Sequence, residues 1–212
     1  LIIKTLIIDS FDTSLVEDMR SMFYRCWEIE ELNIRNFKTP ELMDMTYMFG
    51  MCKYLTSLDL SSFVTPKLKI MKAAFSTCNA LKKIDVSNFD TRKVTDMTSV
   101  FESCTNIEEI DLTSFNTESA TDFSNFFKDC KNLKIVKIPN FVTSQVTNFY
   151  RMFSGCISLL SLNLSHFDTS KATKLNNMFD SCQSLTSLDV SSFNTENAED
   201  ISAMFLKCSN LE

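Results

Sequence analysis

The sequence predicts an α/β solenoid of eight 26-residue repeats, each a short parallel strand, a polar turn and a short helix. Three observations carry that prediction. The cysteines stand at Cys26, Cys52, Cys78, Cys104, Cys130, Cys156, Cys182 and Cys208, so every interval is 26 residues. Sixteen of the 19 phenylalanines fall into two columns of the same period, Phe11 to Phe193 and Phe23 to Phe205, and Thr13 recurs in step as far as Thr195. Only two glycines and three prolines are present in 212 residues, so the turns must be made by other side chains. A period between 20 and 50 residues marks an array in which each unit buries its apolar face only against its neighbours. Residues 1–212 therefore read as a single repeat array, and as a window cut from a longer one.

The strand comes first in each unit. Leu55, Leu58 and Leu60 correspond to Leu81, Ile84 and Val86, an L-x-x-L-x-L pattern whose last two positions alternate around Asp59 and Asp85. Alternation of period two belongs to a strand with one buried face. The turn follows, with Phe63 or Phe89 and then Thr65 or Thr91 in a run of Ser, Asn, Asp and Thr, residues that turn a chain through their own hydroxyls and amides. The helix is read from Met97, Val100, Phe101 and Cys104 at i, i+3, i+4 and i+7. Ahead of it stands Asp18, Asp44, Asp96, Asp122, Asn148 or Asp200, a side chain suited to accept from the free amides of a first turn; Ile70 and Lys174 are the two exceptions. Such a helix has about two turns, below the ~12–15 residues that persist alone in water, so stacking must hold it.

Composition narrows the function. With 44% hydrophobic and 23% charged residues and a net charge of -6, the chain is too apolar for a disordered tail and has no basic excess for nucleic acid. No apolar run approaches the roughly 18–20 residues of a membrane span, and Lys4 and Asp9 interrupt the stretch Leu1–Ile8. Any export signal is expected outside these residues. Each repeat contributes one thiol, which reads as a buried ladder of free cysteines; disulfides between parallel neighbours would be strained. Zinc lacks a C-x-x-C pair, and the one histidine, His166, stands in a column of Ser and Asn.

Catalysis needs unlike residues converging on one point, whereas a strict repeat presents like residues along a line, so the chain is not expected to be an enzyme or to hold a cofactor. The one linear polar feature is on the strand face, where Asn33, Asp59, Asp85, Asp111, Lys137, Asn163 and Asp189 share a column. A solvated face is one reading. The other is a partner-binding strip of Asp59, Asp85 and Asp111, flanked by Ser61, Ser87, Thr113, Lys83 and Glu109, suited to a basic protein segment or a divalent cation. Trp27, Tyr24, Tyr47, Tyr54 and Met51 gather where later repeats are mostly polar, either packed against a preceding part or as a contact patch. The sequon beginning at Asn163 would place glycan on the strand face.

The motif L-x-x-L-D-L-S-x-F-x-T, followed by V-T-D-M and M-F-x-x-C, resembles the BspA-type leucine-rich-repeat surface proteins and the related repeat family of mycoplasma lipoproteins. The segment 84–104, IDVSNFDTRKVTDMTSVFESC, follows the pattern throughout. The resemblance implies a surface-anchored or secreted array that binds a host or matrix protein and serves adhesion. Lys137 and Pro139 replace the acidic and Ser positions of one copy, and Ile70 replaces the cap of another, which marks breaks in any continuous strip. A structural role, with ends adding into oligomers or filaments, and a cytoplasmic scaffold are the competing expectations.

Overall fold

Every buried amide needs an acceptor, and a 26-residue coil too short for internal ladders must find its acceptors on the next coil. In the computed structural model, which describes residues 3–212, that is how the chain is organised. The first two positions of the apolar stretch Leu1–Ile8 lie outside the described residues. Strands β1 (Thr5–Ile7), β2 (Glu31–Asn33) and β3 (Ser57–Leu58) pair in parallel in that order, as do β4 (Glu109–Asp111) and β5 (Ile135–Lys137). Thr5 faces Glu31 and Leu32 faces Leu58, a register of one repeat. The expected unbroken eight-rung sheet is not formed: no backbone bond joins the rung at Lys83–Asp85 to either neighbour, and the sheet divides there.

The continuous ladder is on the other side of the coil. Single parallel bridges run from Asp18 through Asp44, Ile70, Asp96, Asp122, Asn148 and Lys174 to Asp200. The predicted helix is absent from the described residues. In its place, Met71, Ala73, Phe75 and Thr77 donate their amides to Asp96, Thr98, Val100 and Glu102 of the next rung, at 2.6–3.1 Å. The intervening Ala74, Ser76 and Cys78 donate three residues back, to Met71, Ala73 and Phe75. The segment is thus a string of overlapping β-turns, with every second amide given to the neighbour.

This arrangement displaces the helix for a definite reason. An isolated eight-residue helix is marginal, and its amides would be spent within one rung. The turn string spends half of them between rungs, at the cost of a left-handed residue at the third position of alternate turns, where φ is 51° at Ala73 and 63° at Thr77. Among the described residues, fifteen that are not glycine carry this strain, each costing about 1–2 kcal/mol. The inter-rung bonds and the core offset it.

One to three Asx corners per coil stand in for the missing glycines. Asp44, Asp59 and Asp90 each accept the amide two residues on, from Thr46, Ser61 and Arg92. The predicted capping residues therefore accept as expected, but they close a turn. Ile70 and Lys174 lack that acceptor and still hold their bridges, so the backbone ladder does not depend on it.

Buried threonines tie the strand end of the coil. Thr117 Oγ1 donates to the Val142 carbonyl at 2.8 Å and accepts the Val142 amide at 2.7 Å, and Thr91 does the same with Asn116. Replacing Thr117, which is fully buried, by Val keeps the volume but strands both backbone groups. Thr117→Val should cost about 2–3 kcal/mol, read from denaturant unfolding, and Thr117→Ser should recover most of it.

The core lies between these two sides. Phe23, Phe49, Phe75, Phe101, Phe127, Phe153, Phe179 and Phe205 stack in one column, with ring centroids 5.5–5.9 Å apart. The three non-periodic phenylalanines, Phe123, Phe126 and Phe149, are also buried, and Phe126 stands edge-on to Phe101, Phe123 and Phe127. The cysteines are free. Each thiol from Cys52 onward donates to the carbonyl of a core phenylalanine one rung back, as Cys104 Sγ does to Phe75 at 3.1 Å.

Candidate functional site

The strand face places Asp59, Asp85 and Asp111 on successive rungs, all exposed, as the alternation requires. Their first duty is local. Each accepts the amide of Ser61, Ser87 or Thr113 at 2.9–3.0 Å, and the Ser61 and Thr113 hydroxyls add bonds of 2.7 and 2.6 Å. These bonds hold the three carboxyls below the ordinary aspartate range. The column is therefore ionised at neutral pH, but it is not uniformly acidic. Arg35 Nε lies 3.0 Å from Asp59, and Lys137 Nζ lies 2.6 Å from Glu109 and 3.6 Å from Asp111.

What remains uncommitted is the rung between them. Among the described residues, neither Lys83 nor Asp85 belongs to an ion pair. Strand pairing is interrupted at this rung, as it also is at residues 161–163 and 187–189. A shallow cleft of about 560 Å³ opens there, lined by Ile84, Asp85, Ser87, Asp111, Thr113 and Ser114. No group of three or more His, Cys, Asp or Glu among the described residues is placed to hold a metal ion, so the divalent-cation reading of the strip lacks a donor set.

Sequence reasoning passed over an apolar feature of the same face. Ile135 occupies a column otherwise filled by Thr5, Glu31, Ser57, Lys83, Glu109, Ser161 and Ser187, and Leu160 one that holds Glu30, Thr56, Lys82, Glu108, Lys134 and Thr186. They are 46% and 55% exposed on neighbouring rungs, with Lys134 and Lys137 beside them. Two breaks in otherwise polar columns were the available signal. Close by, His166 lines a second open cleft with Pro139, Asn140, Val142 and Asp168. Its Nε2 is buried without a partner, whereas Asn88 and Asn140 in the same column donate to the preceding rung.

The thiol column offers no nucleophile. Burial pushes the Cys52 and Cys104 thiols up to about 12 and raises the other six, so none is ionised near neutral pH.

This geometry, of like residues repeated along a wall, meets its counterpart in a family model described as "Mycoplasma protein of unknown function, DUF285", which matches residues 3–107, 52–159 and 121–212. The chain belongs to this family. The resemblance carried by the repeat motif thus holds for the DUF285 repeat from end to end of the matched spans. No curated protein matches the chain. Among solved structures, a leucine-rich-repeat protein of T. pallidum is 15% identical over 73% of this chain and 71% of its own, with a TM-score of 0.44. A leucine-rich-repeat protein of Bacteroides ovatus is 19% identical over 79% and 56%, with a TM-score of 0.32. A leucine-rich cell-surface protein of Faecalibacterium prausnitzii is 15% identical over 92% and 75%, with a TM-score of 0.30. Among the described residues no helix is long and apolar enough to cross a membrane.

Proposed function

We propose that this DUF285 chain is a non-catalytic cell-surface or secreted module that binds a protein through its strand face. The observation that carries the reading is the placement of side chains that make no contact between rungs. Core, threonine and cysteine side chains are consumed by contacts between rungs, while the strand face presents Asp85, Lys83 and Ser87 beside an open cleft and an exposed Ile135–Leu160 patch two rungs on. A small apolar centre with a charged rim is the make-up of a protein-recognition surface. The surface location and the adhesive role follow from the resemblance to BspA-type proteins.

Surface plasmon resonance against a panel of immobilised extracellular-matrix proteins tests it. Saturable binding is expected to weaken at least tenfold in Ile135→Ser/Leu160→Ser and severalfold in Asp59→Ala/Asp85→Ala/Asp111→Ala. Binding unchanged by both variants would move the site off this face, and no binding to any member would contradict the adhesive role.

The second reading is structural, with identical rungs adding end to end through the same inter-rung amide bonds that join each coil to the next. Light scattering separates the two readings. Growth in mass with concentration supports assembly, and a constant monomer mass supports the recognition wall.

A further inference from the structure

Four of the five Trp and Tyr residues, Tyr24, Trp27, Tyr47 and Tyr54, lie at one corner of the coil, around the turns that end at Cys26 and Cys52. Trp27 and Tyr54 precede β2 and β3 in the chain, outside the Asp59–Asp85–Asp111 column. The Tyr24 and Tyr47 rings meet at 5.2 Å with a 52° tilt. They close over Gly50, where a Cβ would lie 3.1 Å from Tyr47 and 3.2 Å from Tyr24. Other copies carry Ser76, Glu102, Lys128 or Asp180 in that column, and the glycine here lets the two rings lie close against the backbone. The pair is thereby seated against the backbone, and the remaining two rings stay in solvent, with Trp27 44% and Tyr54 54% exposed.

Two cations join the rings. The Lys53 ammonium lies 5.4 Å from the Trp27 ring centroid, and the Arg25 guanidinium lies 5.1 Å from that of Tyr24. Neither belongs to an ion pair among the described residues. Resting on an aromatic face orients each cation while leaving its N–H groups free for an anionic acceptor. In a chain of net charge -6, this corner combines flat exposed ring surface with unpaired positive charge.

We infer that the Tyr24–Trp27–Tyr54 corner binds an anionic saccharide. A pyranose ring presents a flat C–H face that stacks on an open aromatic ring without needing a pocket. Its sulfate or carboxylate groups accept from Arg25 and Lys53, and its hydroxyls pair with the phenols. An acidic peptide would satisfy the cations but would bring no flat apolar face to the two open rings. The site is independent of the strand-face reading.

Trp27 is the sole tryptophan, so its emission reports this corner alone. Titration of the full chain with a heparin-derived hexasaccharide should change that emission saturably, with affinity at least tenfold above that for maltohexaose or hexaglutamate. Arg25→Gln/Lys53→Gln and, separately, Tyr54→Ala should each weaken binding about tenfold while leaving the near-ultraviolet circular dichroism native. Asp85→Ala in the aspartate column should change nothing. The inference is overturned by an unchanged emission together with no heat of binding, by equal affinity for hexaglutamate, which would make the corner an acidic-peptide surface, or by variants that bind as the parent does.

Discussion

Raising the pH through about 10–11 will unfold the protein in one steep step, with thiolate absorbance appearing only as the native signal is lost. The sign follows from burial. Below about pH 9, the ordinary thiol value, the cysteines are protonated in both states and contribute no pH dependence. Above it, the unfolded chain releases protons that the native chain retains, because burial holds the Cys52 and Cys104 thiols up to about 12 and Cys78, Cys130, Cys156 and Cys182 well above the ordinary range. Each such group lowers stability by about 1.4 kcal/mol per pH unit. The six buried cysteines together give a slope on the order of 8 kcal/mol per unit. A stability of about 5–15 kcal/mol is then exhausted within one to two units. Cys104→Ala should reduce the slope by about one sixth. Thiolate absorbance rising while the fold remains intact would show that the thiols are accessible in the native state.

The second large effect concerns the ring column. Phe101 is fully buried, stacked between Phe75 and Phe127 and met edge-on by Phe126, so Phe101→Ala should cost about 3–5 kcal/mol. Its consequence goes beyond the loss of stability. In a stack held by nearest neighbours, a weak interface in the middle lets the two halves unfold apart, so the denaturant transition should broaden or split. Phe205→Ala provides the contrast. That ring is 40% exposed and has one stacked neighbour, Phe179, so its loss should lower the midpoint less and leave one transition.

These effects rest on features that were legible as columns. Cysteine, threonine and phenylalanine at a fixed step announce a stack, because only superposition makes the same residue useful in every copy. The turn string was not legible. Met97, Val100, Phe101 and Cys104 are all buried, as a helix face would be, and the i, i+3, i+4, i+7 pattern records burial without recording where the amides go. The left-handed positions gave no warning either, since they hold Ser99 and Ser103 in one rung and Tyr47 and Met51 in another. The strand-face strip was half legible. Its aspartates stand in line, but Arg35 and Lys137 neutralise two of them from adjacent rungs, a pairing that depends on side-chain reach. At the aromatic corner Tyr24 and Tyr47 pack on each other over Gly50, within the coils themselves, while Trp27 and Tyr54 face solvent.

The claim beneath all of this is that the eight-residue segment ending at Cys gives half its amides to the rung that follows it. Scalar couplings across hydrogen bonds, measured by NMR on the 15N,13C-labelled chain, read that directly. The account predicts couplings from the amides of Ala73, Phe75 and Thr77 to the carbonyls of Thr98, Val100 and Glu102, each 25 residues on. Couplings from those amides to carbonyls four residues back in the same rung would mean a helix, and would contradict it.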